Sequence, residues 1–295
     1  MRTVYLGTSD FAAAVLRRLA ATEHRPALVV TRPDAPRGRG RRLAAPPVAE
    51  TARELGLDVV QPASVNDDEA VERIAAAEPD AVLLCAFGAL IKEPLLSRFG
   101  PILNVHPSLL PRWRGAAPVE RAIMAGDDET GVSIMALTAG LDDGPVCAVG
   151  RERIRPDDTF ATLVERLEEL GATLLVHALE ERPPFTPQPS EGVTYAEKIG
   201  PEDRTLDPGR PATELERVVR ALTPHVGARI ALPDGTMLGV RSAVARMDGP
   251  PAGTIAGAGG RLCVGTPDGA LELREVQPPG GRPMPAADFL RGRSL

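Results

Sequence analysis

The sequence predicts an α/β protein: a doubly wound, Rossmann-like, mostly parallel sheet followed by a small OB-like β-barrel. Three observations carry this reading. Through the first half, short apolar runs alternate with helical patterns, the signature of βαβ units. Runs such as "AVLLC" are continuously apolar rather than alternating, as strands buried on both faces are. Toward the C-terminus the pattern changes to short β-rich runs punctuated by Gly, Pro and Asp, which suits a small barrel.

In order, "TVYLG" reads as the first strand, "FAAAVLRRLA" as a helix, "ALVVT" as a strand and "PVAETAREL" as a helix. "AVLLCAF" is the central strand and "ILNVH" the next. "GVSIMAL" and "GPVCAVGRERI" are β-rich runs separated by the turn-like "TAGLDD", and "FATLVERLEELGATLLVHALE" is a long helix. These define a first domain over residues 1–180. Residues 181–210 are rich in proline, serine, threonine and charge and read as a linker. A second domain, 211–295, opens with the helix "ATELERVVRAL" and continues as the strands "ARIAL", "TMLGV", "GTIAGAG", "LCVGT" and "ALELREV".

Composition narrows the function classes. Of 295 residues, 43% are hydrophobic and 25% charged, ordinary for a soluble globular protein. No apolar run approaches the roughly 20 residues needed to span a bilayer, so a cytoplasmic protein without membrane contact is expected. Cys85, Cys147 and Cys263 are far apart with no C-x-x-C pair, which makes them buried thiols rather than a metal or redox centre. A net charge of −6 excludes a basic coat over the whole surface but leaves room for a local patch. "TRPDAPRGRGRRL" is such a patch: Arg32, Arg37, Arg39, Arg41 and Arg42 stand against one acid, Asp34. Set among glycines and prolines, these arginines suggest a mobile basic loop suited to phosphate contacts and to stacking on opened bases.

Two stretches carry candidate chemistry. "YLGTSDFA" has one glycine and lacks the G-x-G-x-x-G spacing of a pyrophosphate cradle, so it reads as a strand-to-helix turn with Asp10 as N-cap. "NVHPSLLPRWRGAAP" puts Asn104 and His106 at the C-terminal end of a predicted strand, where open α/β sheets place their ligands. Their i, i+2 spacing points both side chains to one face, and Pro107 keeps His106 extended. A carboxamide beside an imidazole suits a developing oxyanion and a proton in transit. Asp142, in "GLDDGPV", offers a carboxylate from a glycine-bounded turn. Turn capping by Asn104, a core hydrogen bond for His106 and simple turn chemistry for "DDG" remain open alternatives on spacing alone.

"NVHPSLLPRWRGAAPVERAI" resembles the signature of the folate-dependent formyltransferases, and "RWRGAAP" is most similar to the members that act on aminoacyl-tRNA. "YLGTSDFA", "TRPDAPRGRGRRL", "VVQPASV", "CAFGALI", "ETGVSIMALTAGLDDGPV" and "TYAEKI" resemble the same enzymes in the same order, over about residues 2 to 200. The resemblance implies transfer of the formyl group of 10-formyltetrahydrofolate, as co-substrate, to the α-amine of methionine on initiator tRNA in translation initiation. It implies Asn104, His106 and Asp142 as catalytic residues, no metal, and a monomer with tRNA and folate as partners. The folate is expected against Ala86, Phe87, Gly88, Ala89, Leu90 and Ile91, against Ala139, Gly140 and Leu141, and against the wall formed by Ser108, Leu109, Leu110 and Pro111. Arg37, Arg39, Arg41 and Arg42 are expected to bind tRNA, with Arg39 on the family's key arginine. Alternative readings are formyl transfer to an amino-sugar nucleotide, hydrolysis of formyl-folate, and a non-catalytic tRNA-binding relative. After "TYAEKI" the resemblance thins. From Pro201 onward the single aromatic is Phe289 and 12 basic residues meet 11 acidic ones, which predicts a weak platform for nucleic acid.

Overall fold

The computed structural model describes residues 1–37 and 42–291. In chain order its first elements are β1 (Thr3–Gly7), α1 (Asp10–Ala20), β2 (Pro26–Val30), β3 (Ala35–Arg37), β4 (Arg42–Ala44), α2 (Pro47–Glu54), β5 (Val59–Val60), α3 (Asp68–Ala75), β6 (Ala81–Cys85) and α4 (Leu95–Arg98). β7 (Leu103–His106), β8 (Arg114–Gly115), α5 (Pro118–Ala125), β9 (Glu129–Ala136), β10 (Val146–Arg153), α6 (Phe160–Glu181) and β11 (Tyr195–Ala196) follow. Two compact units divide the chain: Met1–Gly115 with Thr130–Glu152 and Val164–Tyr195, and Ala116–Glu129 with Arg153–Leu163 and Ala196–Leu295. Residues 181–210, expected as a linker, are thus shared between the units, and two segments from within the first 180 residues belong to the second.

The first unit is built on a seven-stranded sheet of order β10-β9-β7-β6-β1-β2-β5. β1 pairs in parallel with β2 and β6, β2 with β5, and β6 with β7, whereas β9 runs antiparallel to β7. The chain winds outward from β1 through β2 to β5, then returns to β6 on the other side of β1. Strand order therefore reverses beside β1, and the crevice above the carboxyl ends of β1 and β6 is where such sheets hold ligands. On one face Val4, Leu6, Leu28, Val30, Val82 and Leu84 pack with Ile74 of α3 and Leu95 of α4. On the other, the buried Tyr5 donates its hydroxyl to Ala12 O of α1 at 2.7 Å. Gly171 lets α6 approach the sheet, since a Cβ there would lie 3.1 Å from Val105 Cγ1.

Several local expectations need correction. The N-cap of α1 is Ser9, whose extended backbone lets its Oγ accept from Ala12 N at 3.3 Å; Asp10 is the first helical residue. Gly7 serves packing, because a Cβ would sit 2.9 Å from that of Ala12. The base of the arginine stretch is a two-stranded hairpin rather than a loop: β3 and β4 pair antiparallel, with Arg37 opposite Arg42. Gln61 secures that base, its Nε2 donating to Arg32 O at 2.9 Å and to Asp34 Oδ1 at 2.8 Å. The cysteines are free thiols, but Cys147 is only half-buried, whereas burial pushes the Cys85 thiol up to about 12. Among the described residues no helix is long and apolar enough to cross a membrane.

The second unit contains α7 (Ala212–Leu222), β12 (Ala228–Ala231), β13 (Met237–Arg246), β14 (Ile255–Ala258), β15 (Arg261–Thr266), β16 (Gly269–Gln277), β17 (Met284–Pro285) and α8 (Ala286–Phe289). Its antiparallel sheet has the order β12-β13-β16-β15-β14, with β17 also on β16. Leu215, Val218, Val219 and Leu222, spaced at i, i+3, i+4 and i+7, form the apolar stripe of α7 and pack on Ile230, Leu238, Val240, Leu271 and Val276. Arg121 on α5 is tied into this unit by a two-pronged pair with Asp203, at 2.6 and 2.9 Å, and by bonds to Glu197 O. Burial pushes the Asp203 carboxyl up, yet Arg121 and the Gly200 N–H outweigh it and hold the group below its ordinary value.

A carboxyl with a depressed folded pKa contributes stability above its unfolded pKa and loses it as pH falls through the folded one. Asp203→Asn is therefore expected to lower stability by about 2 kcal/mol at neutral pH. The deficit should shrink as pH falls below the ordinary aspartate range. Denaturant melts of both proteins from neutral to acidic pH check this; a deficit that did not change with pH would contradict it.

Candidate active site

β7 ends at His106, and its register against β9 sets Asn104 opposite Met135 and His106 opposite Ser133. Asn104 and His106 are 5% and 4% exposed, so any group they meet does so away from bulk water. Beyond the strand the chain makes a tight wall. Ser108 Oγ donates to Arg112 O at 2.6 Å, Ser133 Oγ donates to Ser108 O at 2.8 Å, and Leu110 N donates to Ser133 Oγ at 3.2 Å. Trp113 has φ +64, a left-handed conformation that a bulky residue adopts only under restraint. Both of its peptide groups supply that restraint: its N–H donates to Thr194 Oγ1 at 2.9 Å, and its carbonyl accepts from His106 Nε2 at 2.9 Å. The Arg112 guanidinium lies 4.3 Å over the indole.

The bond to Trp113 fixes the imidazole. A carbonyl oxygen can only accept, so Nε2 carries the proton, and in neutral His106 Nδ1 is left as a bare lone pair. Nδ1 lies 3.6 Å from Asp142 Oδ2. The same oxygen accepts the Gly115 N–H at 2.8 Å, while Oδ1 stands 3.5 Å from Asn104 Nδ2. Asp142 reaches this position with φ +47, which aspartate tolerates better than most residues. Its neighbour Asp143 is exposed and turned the other way, accepting from Thr138 Oγ1 at 2.5 Å. The carboxamide, imidazole and carboxylate anticipated from the sequence thus meet at the end of one strand.

The remaining expected residues divide by burial. Ala86, Gly88, Ala89 and Leu90 are exposed along the loop after β6, as are Ala139, Gly140 and Leu141 beside Asp142. Leu90 and Leu141 are 66% and 59% exposed, large apolar surfaces flanking the site. Phe87 and Ile91 differ: their side chains belong to the core with Leu84, Leu95 and Ile102. Ser108 is fully buried with its hydroxyl engaged internally, and Leu109, Leu110 and Pro111 are half-buried. Arg42 is exposed on β4; Arg39 and Arg41 lie outside the described residues, as does the Arg37 side chain. Arg32, counted with the basic stretch, instead donates to Gly88 O at 3.1 Å and so links the hairpin base to the loop after β6.

Sequence reasoning missed Thr194 and Gln188. Thr194 sits in the "TYAEKI" motif and accepts the Trp113 N–H, and its carbonyl accepts the Arg114 N–H at 2.9 Å. Gln188 touches both Arg114 and the Asp142 turn. The only signal for either was proximity to a motif, since a polar residue in a proline-rich stretch has no period to read.

Comparison with known proteins shows the family to which the chain belongs. The formyl transferase family model matches residues 1–179, and the formyl transferase C-terminal domain model matches 198–294, so the weakly charged second unit still carries its family's pattern. The methionyl-tRNA formyltransferase of Halorhodospira halophila is 46% identical over 303 residues, covering 100% of this chain and 97% of that protein. That of Paracoccus denitrificans is 43% identical, covering 100% and 98%. In fold, the solved methionyl-tRNA formyltransferase from Clostridium thermocellum superposes with a TM-score of 0.62 at 15% identity, covering 83% of this chain and 94% of its own. HypX from Aquifex aeolicus, solved in complex with tetrahydrofolic acid, superposes at 0.65 with 22% identity, over 98% of this chain and 47% of its own. The chain belongs to the formyl transferase family, in the branch of its methionyl-tRNA formyltransferase relatives.

Proposed function

We propose that this enzyme transfers the formyl group of 10-formyltetrahydrofolate to the α-amine of methionine on initiator tRNA, with Asn104, His106 and Asp142 as its reacting groups. The observation that carries the residue assignment is the convergence of these three side chains at the carboxyl end of β7. The amine nitrogen attacks the formyl carbon, and the carbonyl π pair moves onto oxygen to give a tetrahedral oxyanion. The Asn104 carboxamide donates to that oxyanion from a buried position, where a hydrogen bond is worth more than in water. Nδ1 of neutral His106 accepts the proton that the attacking amine sheds. Asp142 then faces an imidazolium at 3.6 Å and stabilises it. The same proton passes to N10 as the carbon–N10 bond breaks and the carbonyl re-forms, leaving tetrahydrofolate and the formylated amine. The exposed Leu90 and Leu141, with the small residues Ala86, Gly88, Ala89, Ala139 and Gly140, suit a flat ring beside these groups. Phe87, Ile91 and Ser108 shape that surface from behind through the core. The arginines Arg37, Arg39, Arg41 and Arg42 meet the acceptor end of the tRNA.

The test of the reaction is to supply 10-formyltetrahydrofolate with methionyl initiator tRNA, an amino-sugar nucleotide or water alone and to follow the formyl group; transfer to the last two and not to the tRNA would overturn the proposal. Asn104→Ala and His106→Ala are each expected to slow turnover by roughly 100-fold or more with little change in folate affinity. Asp142→Asn should be comparably impaired, because an amide cannot stabilise the imidazolium, whereas Asp143→Asn should stay within a few-fold of wild type. Steady-state kinetics on the four variants check this, and an inactive Asp143→Asn beside an active Asp142→Asn would reverse the choice of carboxylate.

Residues 31–46 hold five arginines and one acid in a chain of net charge −6. Because phosphate contacts release counterions, tRNA affinity is expected to fall steeply with salt while folate affinity does not. Replacing residues 37–42 by Gly and Ser should flatten the salt slope of tRNA binding. Equal slopes for the two proteins would place the tRNA contacts elsewhere.

A further inference from the structure

Between Pro184 and Gly192 every residue is exposed except Gln188. The segment is registered against β10 by a paired bridge, Val146 N to Thr186 O at 2.9 Å and Thr186 N to Val146 O at 2.8 Å. Two residues later the Gln188 side chain turns inward. Its Nε2 donates to Asp142 O and to Gly144 O, both at 2.8 Å, and its Oε1 accepts from Arg114 Nε at 3.1 Å and from Nη2 at 2.7 Å. A carboxamide has two N–H donors and two acceptor lone pairs, and all four are used here, which fixes the amide in one orientation.

The two segments it joins are the ones that set the catalytic geometry. Asp142 to Gly144 is the turn that presents the carboxylate, with Asp142 left-handed at φ +47 and Gly144 so close to Ala136 O that a Cβ would lie 1.9 Å from it. Arg114 stands between Trp113, whose carbonyl receives His106 Nε2, and Gly115, whose N–H meets Asp142 Oδ2. A left-handed aspartate at a loop tip relaxes unless its surroundings hold it. The Gln188 amide supplies that restraint on the carbonyl side of Asp142, while Gly115 supplies it on the carboxylate side.

We propose that Gln188, braced by Arg114, is a positioning residue for formyl transfer: it holds the Asp142 turn so that the carboxylate faces His106, and it acts on turnover rather than on substrate binding. The inference rests on the reading of Asp142 as a reacting group. Gln188→Glu is the discriminating change. It keeps size and strengthens the pair with Arg114, but it removes both donors and sets a carboxylate oxygen against two carbonyl oxygens. The expected result is a kcat lower by roughly 10- to 100-fold, the scale set by a misplacement of about 1 Å at a reacting group. KM for tRNA and for 10-formyltetrahydrofolate should stay within about two-fold.

Because Gln188 acts through Asp142, its loss should be nearly silent when Asp142 is already Asn; single-turnover rates of wild type, Gln188→Glu, Asp142→Asn and the double variant close that cycle. If Gln188→Glu fails to fold, Gln188→Leu carries the same expectation, since it also lacks the donors. Wild-type turnover in the Gln188 variant beside an impaired Asp142→Asn would overturn the inference and leave the catalytic reading standing. Additive losses in the double variant would overturn it as well, by showing that Gln188 acts elsewhere. Wild-type turnover in Asp142→Asn would instead remove the reading on which it rests.

Discussion

The hydrogen bond from His106 Nε2 to the Trp113 carbonyl, 2.9 Å long, is the constraint on which the site depends. It decides which imidazole nitrogen is free, and so whether a base faces the carboxylate at all. It also accounts for the awkward backbone of Trp113, whose left-handed conformation aims its carbonyl at the end of β7. The wall from Ser108 to Gly115 is best understood as the support of that one carbonyl: the bonds among Ser108, Arg112 and Ser133, the Thr194 acceptor and the stacked Arg112 all limit where Trp113 can go. In the proposed mechanism a protonated Nδ1 gains Asp142 as a counter-charge, so the imidazole alternates between base and acid without moving.

The sheet supplies the stage. Reversal of strand order beside β1 opens a crevice at the carboxyl ends of β1 and β6, and β7 delivers Asn104 and His106 next to it. Antiparallel β9 runs back to Ala136 opposite Leu103, so the turn before β10 leaves from the start of β7 and must fold back along that strand for Asp142 to reach Asn104 and His106. Arg32 adds a direct link between the hairpin base and the loop after β6 through Gly88 O, and so between the surfaces proposed for tRNA and for folate.

Much of this was legible in the sequence, and the limits are physical. α1, α6 and α7 are long amphipathic helices and β1, β6 and β7 are apolar runs, and all six fall close to where the pattern puts them. The spacing of Asn104 and His106 foretold a shared face because a strand repeats every two residues. α3 and α5 are as long as α2, which the pattern does show, and α5 joins a unit that chain order does not suggest. Ser9 rather than Asp10 caps α1 because the cap is set by the backbone of the preceding residue, which two adjacent good cappers leave ambiguous. Phe87 and Ile91 stand in a loop sequence that suited a ligand surface, yet each turns into the core between exposed neighbours. Gln188 and Thr194 could not be found at all from pattern. Their partners lie 44 to 81 residues away in sequence, and hydrogen bonds of that range leave no local trace.

His106 is held with its proton on Nε2 and a free Nδ1 facing Asp142. Nitrogen-15 NMR of the folded protein, with histidine labelled in the ring, reads this directly through the chemical shifts of the two nitrogens and their couplings to the ring protons. The expected spectrum of neutral His106 has a protonated, pyrrole-like Nε2 and an unprotonated, pyridine-like Nδ1. A neutral His106 protonated on Nδ1 would contradict it, because the base would then point at a carbonyl and the nitrogen facing Asp142 could accept nothing.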